Sequence, residues 1–224
     1  MSGFEVYTLH DHQRARLLLS HFAGSILFIN IDQGLSEKDW EAYIRDIQKD
    51  PVAKESRLGI LSYNTDQKLM QKYLMDLAIP CGYVQLKLGL QASTEILLAA
   101  LQANEAKGRR KCIRAFCEDD EYATMNYKDP DQMYYGKLLD ISSAGVAVKF
   151  ERPLPMPANF VMRGIQLKLR SALIMTDGVL MGLRRGDPHI RVILFNQRMS
   201  QKDKLAIHHY IKQRIQYHID QLKI

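Results

Sequence analysis

The sequence lacks the features that would place it in several common classes. Nowhere does it hold the roughly 18 uninterrupted apolar residues of a membrane span. Its opening Met-Ser-Gly-Phe-Glu-Val has no basic stretch leading into an apolar one. No membrane insertion and a cytoplasmic location are therefore expected. Its three cysteines, Cys81, Cys112 and Cys117, are odd in number and show no CxxC spacing, which argues against both a disulfide framework and a zinc site. His10, His12 and the pair His208-His209 have no companion cluster of carboxylate or cysteine ligands, so no metal is expected. Neither a phosphate loop nor a nucleophile–base pair is legible, and the expectation is a protein that is not an enzyme. Low-complexity tracts and fixed-period repeats are missing as well. A hydrophobic share of 46% and a charged share of 25% describe an ordinary folded chain.

At 224 residues the chain can form two domains, each large enough to bury a core. Charge divides unevenly. Residues 1–107 hold 11 Lys and Arg against 13 Asp and Glu, whereas residues 108–224 hold 20 against 12, a net +8. The second half is the one suited to a phosphate-bearing partner, large or small.

Residues 1–107 read as an α/β domain. Strands are expected at residues 4–9, 25–31, 58–62 and 83–88, and helices at 11–22, 36–49, 66–77 and 93–107. The continuous apolar run at 25–31 is of the kind buried on both faces of a parallel sheet, and Ser36 with Asp39 three residues on is a helix-start signal. From Arg109 the period becomes two: Ile165, Leu167 and Leu169 alternate with Gln166, Lys168 and Arg170, and Val179, Met181 and Leu183 alternate with Leu180, Gly182 and Arg184. Turn residues separate short strands, as in a sandwich or barrel. Ser200 then caps a helix whose Ile207, Ile211, Ile215, Ile219 and Leu222 form one apolar stripe, which either packs on the barrel, the simpler reading, or takes a partner helix.

Chemistry concentrates in two segments of residues 108–224. Arg110 and Arg114 are four apart, which on an extended chain sets both side chains on one face about 13 Å apart. Their planar guanidiniums suit phosphate oxygens or the O6/N7 edge of guanine. The second segment is Asp140-Ile-Ser-Ser-Ala-Gly145. Asp140 can accept from the N1–H and N2–H2 donors of guanine, Ser142 adds a hydroxyl, and Gly145 permits positive φ or a close approach of backbone to ligand. The Arg184-Arg185-Gly186 corner reads as a charged hairpin tip.

RxxxR followed by DxSxxG resembles the signature of PilZ domains, bacterial receptors for cyclic di-GMP. That resemblance covers roughly residues 108–220 and implies a six-stranded antiparallel β-barrel with a C-terminal helix. It implies that Arg110 and Arg114 clamp phosphate and guanine, while Asp140, Ser142 and Gly145 recognise a guanine and its adjoining phosphate. The ligand is then cyclic di-GMP, with no cofactor. Arg109, preceding the first motif arginine, is associated in that family with an intercalated ligand pair. The cluster Arg109-Arg110-Lys111 falls at the expected domain junction, so binding there is expected to change how the two domains are arranged and to signal to a downstream protein partner that no motif identifies.

Two weaker readings stand beside this one. The first half is similar in layout to a receiver domain of two-component signalling that lacks its first strand and helix, with Asn30 and Asp32 near the acceptor position and Ser62 and Lys87 near the conserved hydroxyl and lysine; a regulatory or docking role is expected of it. Alternatively the +8 half is a single-stranded nucleic-acid-binding barrel. Nucleic acid is the less expected partner, because Tyr122, Tyr127, Tyr134 and Tyr135 cluster around a turn and form no stacking row.

Overall fold

The computed structural model describes residues 4–22, 24–51, 53–104, 112–184, 186–196 and 198–222. They divide into two compact units. Residues 9–104 form one, and residues 112–222 form the other together with Glu5–Thr8.

In the first unit, three parallel strands in the order β1 (Ile26–Asn30), β2 (Arg57–Ser62), β3 (Tyr83–Gln85) are joined by helices. Helix α1 (His12–His21) starts at Asp11, whose carboxylate accepts from the Gln13 N–H, and α2 (Glu37–Lys49) starts at Ser36, whose hydroxyl accepts from the Asp39 N–H. These caps satisfy backbone donors that have no intrahelical partner. Helix α3 (Gln67–Gln71) runs into a π-helical turn, Lys72–Asp76, which seats Tyr73 in the core. Helix α4 (Leu90–Ala103) follows Gly89 at φ +90° and starts three residues before its expected position. The β1 run proves only half-buried apart from Ile29, because β1 is an edge strand.

No strand forms at residues 4–9. Instead Glu5–Thr8 belongs with the second unit. There the Thr8 N–H donates to Gln216 Oε1, and Gln216 Nε2 donates to the Thr8 carbonyl, each at 2.9 Å.

The second unit contains β4 (Arg114–Phe116), β5 (Ala123–Lys128), β6 (Met133–Ser142), β7 (Gly145–Phe150), β8 (Val161–Leu169), β9 (Ala172–Arg184), β10 (Asp187–Phe195) and α5 (Gln201–Gln221). Strands pair antiparallel in the order β6-β5-β8-β9-β10-β7, and a β6–β7 pairing closes the ring into a six-stranded barrel. Strand β4 lies outside the ring. It pairs with residues 140–142 of β6, on the edge that β5 leaves free beyond residue 137. Inward-facing residues alternate as a barrel requires: Ile165, Leu167 and Leu169 are buried on β8. On β9 the inward row is Ile174, Thr176, Gly178 and Leu180, whereas Met181 and Leu183 are exposed. Ile207, Tyr210 and Ile211 of α5 join the barrel core, with Ile215 packed beside them.

Candidate functional site

Arg114 opens β4, and its register partner on β6 is Ser142; two residues on, Phe116 faces Asp140. Directly paired residues of an antiparallel ladder share a face. Ala115 and its partner Ile141 point into the core, so Arg114, Phe116 and Asp140 are on the outer surface. A bulge between Leu138 and Asp140 resets β6 by one residue. Without it Leu138 and Asp140 would face the same way; with it Leu138 stays in the core while Asp140 turns outward.

Asp140 is nonetheless 3% exposed, since two arginines cover it. Arg114 Nε lies 3.3 Å from Asp140 Oδ1, and Arg184 Nη1 donates to Asp140 Oδ2. Arg184 was legible only as a hairpin-tip charge. Its strand is separated from β6 by β10 and β7, and a partner 44 residues away carries no spacing signal. The two arginine side chains remain 42% and 28% exposed, so the cluster is a carboxylate flanked by two cationic side chains that still reach solvent.

Ser142 is buried. Its hydroxyl accepts from the Ala144 N–H and donates to the Gly145 carbonyl, both at 3.3 Å, which closes the β6–β7 turn upon itself. Gly145 is not in the left-handed region. A Cβ there would collide with the Ile193 carbonyl and meet Leu194 Cα at 3.1 Å. The close approach that requires glycine is thus to the backbone of β10. Arg109 and Arg110 lie outside the described residues.

Other candidates receive different roles. Tyr127 and Tyr134 are buried and stacked on one another, with centroids 6.4 Å apart, while Tyr122 and Tyr135 are exposed; the four tyrosines form no common platform. His12 packs edge-on against Trp40 and Tyr43. Asp32 accepts from the Ser62 hydroxyl at 2.5 Å and from the Tyr63 N–H at 2.7 Å, which ties the ends of β1 and β2 together. No helix among the described residues is long and apolar enough to cross a membrane.

Behind the site lies a buried polar network. Arg214 of α5 is 1% exposed and donates to the Phe116 carbonyl (3.3 Å) and to Asp119. Asp120, also buried, accepts from Arg170 (2.9 Å), the Tyr210 hydroxyl (3.1 Å) and the Tyr122 N–H (3.1 Å). Burial pushes the Asp120 carboxyl upward, but the bonds from Arg170, the Tyr122 N–H and Tyr210 outweigh it and hold the group below its usual range. Burial also pushes the Cys117 thiol up to about 11.

The second unit is therefore a closed six-stranded antiparallel barrel with a C-terminal helix, the architecture that the resemblance to PilZ domains implied, and it carries an Arg–Asp–Arg cluster on its outer surface. No family model matches the chain, and no curated protein does either. Among solved structures, it is similar to the PilZ domain of YcgR from Escherichia coli with c-di-GMP (TM-score 0.42, 14% identity, covering 51% of this chain and 99% of that one). It is similar also to the MrkH–c-di-GMP complex of K. pneumonia (TM-score 0.45, 16% identity, 51% and 56%) and to the inhibitor of motility MotI/DgrA of Bacillus subtilis (TM-score 0.39, 18% identity, 51% and 53%). The chain spans about half the length of the latter two.

Proposed function

We propose that this protein is a PilZ-type receptor that binds cyclic di-GMP on the outer face of its barrel. The observation that carries the reading is the placement of Arg114 beside Asp140 on adjoining strands, next to the Ser142–Gly145 turn. Residues 26 positions apart in sequence make one surface on which a carboxylate can accept from guanine N1–H and N2–H2 while a guanidinium grips phosphate or the base edge. Arg110 is the second clamp, by its spacing from Arg114. Arg109 adds a guanidinium that can stack on a second guanine, which gives two nucleotides per chain.

Binding transmits as a change in domain arrangement, because the basic residues 109–111 lie in the sequence that joins the two units. Small-angle scattering checks this: the profile changes on adding ligand, and identical profiles would remove the coupling. The receptor reading itself is tested by calorimetric titration of the whole chain with cyclic di-GMP, GTP and cyclic di-AMP. Saturable heat is expected for cyclic di-GMP alone and is lost in Arg110→Ala; equal affinity for all three would overturn it.

A further inference from the structure

Resting on the receptor reading above, we infer that Arg184, which belongs to neither motif segment, is the residue that makes the site prefer guanine over adenine. Both oxygens of Asp140 face a guanidinium, Oδ1 that of Arg114 and Oδ2 that of Arg184. The Watson–Crick edge of guanine presents O6, N1–H and N2–H2 in a row: one acceptor, then two donors. A carboxylate answers the two donors and leaves O6 beside it in need of a donor of its own. A guanidinium held against the carboxylate meets that need. Asp140 and Arg184 thus form an acceptor–donor pair complementary to guanine. Adenine reverses the pattern, with an amino group where guanine has O6 and an acceptor at N1, so it would set N–H against N–H at Arg184 and lone pair against carboxylate at Asp140.

The row beside the pair carries only small side chains. One register row crosses the outer face from Asp140 to Ala147, Val192 and Gly182, and no side chain in it beyond Asp140 is larger than valine. A Cβ added at Gly182 would meet nothing within 4 Å. Arg184 is two residues beyond Gly182 on β9 and still partly exposed, so its guanidinium can shift from Asp140 Oδ2 to an arriving O6 without unpacking the barrel. Arg114 remains free to serve the phosphate and the Oδ1 side. This division explains why a carboxylate at the site is bracketed by two arginines from different strands.

The experiment is a competition titration on the whole chain, with a fluorescent cyclic di-GMP reporter displaced by unlabelled cyclic di-GMP or cyclic di-AMP, for the wild type, Arg184→Ala and Arg184→Lys. For Arg184→Ala, affinity for cyclic di-GMP falls about tenfold or more while that for cyclic di-AMP stays level or rises, so the preference narrows. Arg184→Lys, which keeps a donor, retains part of it. Melting temperatures of the variants stay close to the wild type. An unchanged cyclic di-GMP affinity in Arg184→Ala, or an equal loss for both nucleotides, overturns the inference and leaves the receptor reading intact. A wild type that binds no cyclic di-GMP removes both.

Discussion

Arg114 and Asp140 are not direct register partners: Arg114 pairs with Ser142 and Asp140 with Phe116, so the ion pair runs diagonally across β4 and β6 with Arg114 Nε 3.3 Å from Asp140 Oδ1. A diagonal contact leaves each side chain one free flank. For Asp140 that flank is taken by Arg184; for Arg114 it opens to solvent. Binding and stability are therefore separable at this cluster. In Asp140→Asn the buried side chain keeps an oxygen that can still accept from one arginine, and both arginines reach solvent, so the cost to the fold is about 1–2 kcal/mol, while the charged acceptor for guanine is lost. The expected outcome is a melting temperature within a few degrees of the wild type and an affinity for cyclic di-GMP lower by about a hundredfold. A large drop in melting temperature would mean that the cluster serves the fold first.

Gly145 behaves in the opposite way. The β10 backbone occupies the space that a methyl group would need, and backbone cannot step aside as a flexible side chain can. Gly145→Ala is expected to destabilise the barrel by about 1–3 kcal/mol, visible in urea unfolding with no ligand present. Unfolding midpoints equal to the wild type would show that the glycine is kept for ligand access instead.

Acid should loosen the network that anchors α5. The Asp120 carboxyl is held below its usual range in the folded chain, so its contribution is complete above the unfolded value of about 4 and is lost as pH falls through the lower folded value. Asp120→Ala removes the carboxylate 4.0 Å from the buried Arg214, a partner of Arg170 and an acceptor for Tyr210, and is expected to cost about 3–5 kcal/mol at neutral pH. It should also flatten the acid limb of the stability curve. A variant whose stability falls as steeply with acid as the wild type would place that titration elsewhere.

Cys117 is buried with its thiol pushed up to about 11. Since the thiolate is the reactive form, alkylation of Cys117 at neutral pH is expected only after unfolding, which mass spectrometry of iodoacetamide-treated native and denatured protein reads directly. Rapid labelling of the native chain would contradict the packing around β4.

How much of this was legible in the sequence depends on the range of the signal. The helix caps at Ser36 and Ser200 and the two-residue period of β8 are local, and the chain follows them. On β9 the apolar residues fall on both faces, so period alone could not say that Leu180 rather than Met181 and Leu183 points inward. The apolar run of β1 reads as doubly buried, but a sequence does not announce that a sheet ends beside it. Segment 4–9 has strand character and no strand to pair with, and bonds to Gln216 instead. At the site, motif spacing singles out Arg114, Asp140 and Ser142, and the pairing of β4 with β6 brings them together. Arg184 reads as a hairpin-tip charge because barrel closure, not spacing, brings it to Asp140, and the contact of Gly145 with β10 carries no local signal because Ile193 is 48 residues away along the chain.

The most direct test of the central claim is equilibrium binding of cyclic di-GMP to the whole chain, compared among the wild type, Arg114→Ala and Asp140→Ala. The account predicts saturable binding by the wild type and its loss in both variants, with all three proteins folded. Binding that survives in the variants, or a wild type that takes up single-stranded nucleic acid in a salt-dependent way but no cyclic di-GMP, would contradict it.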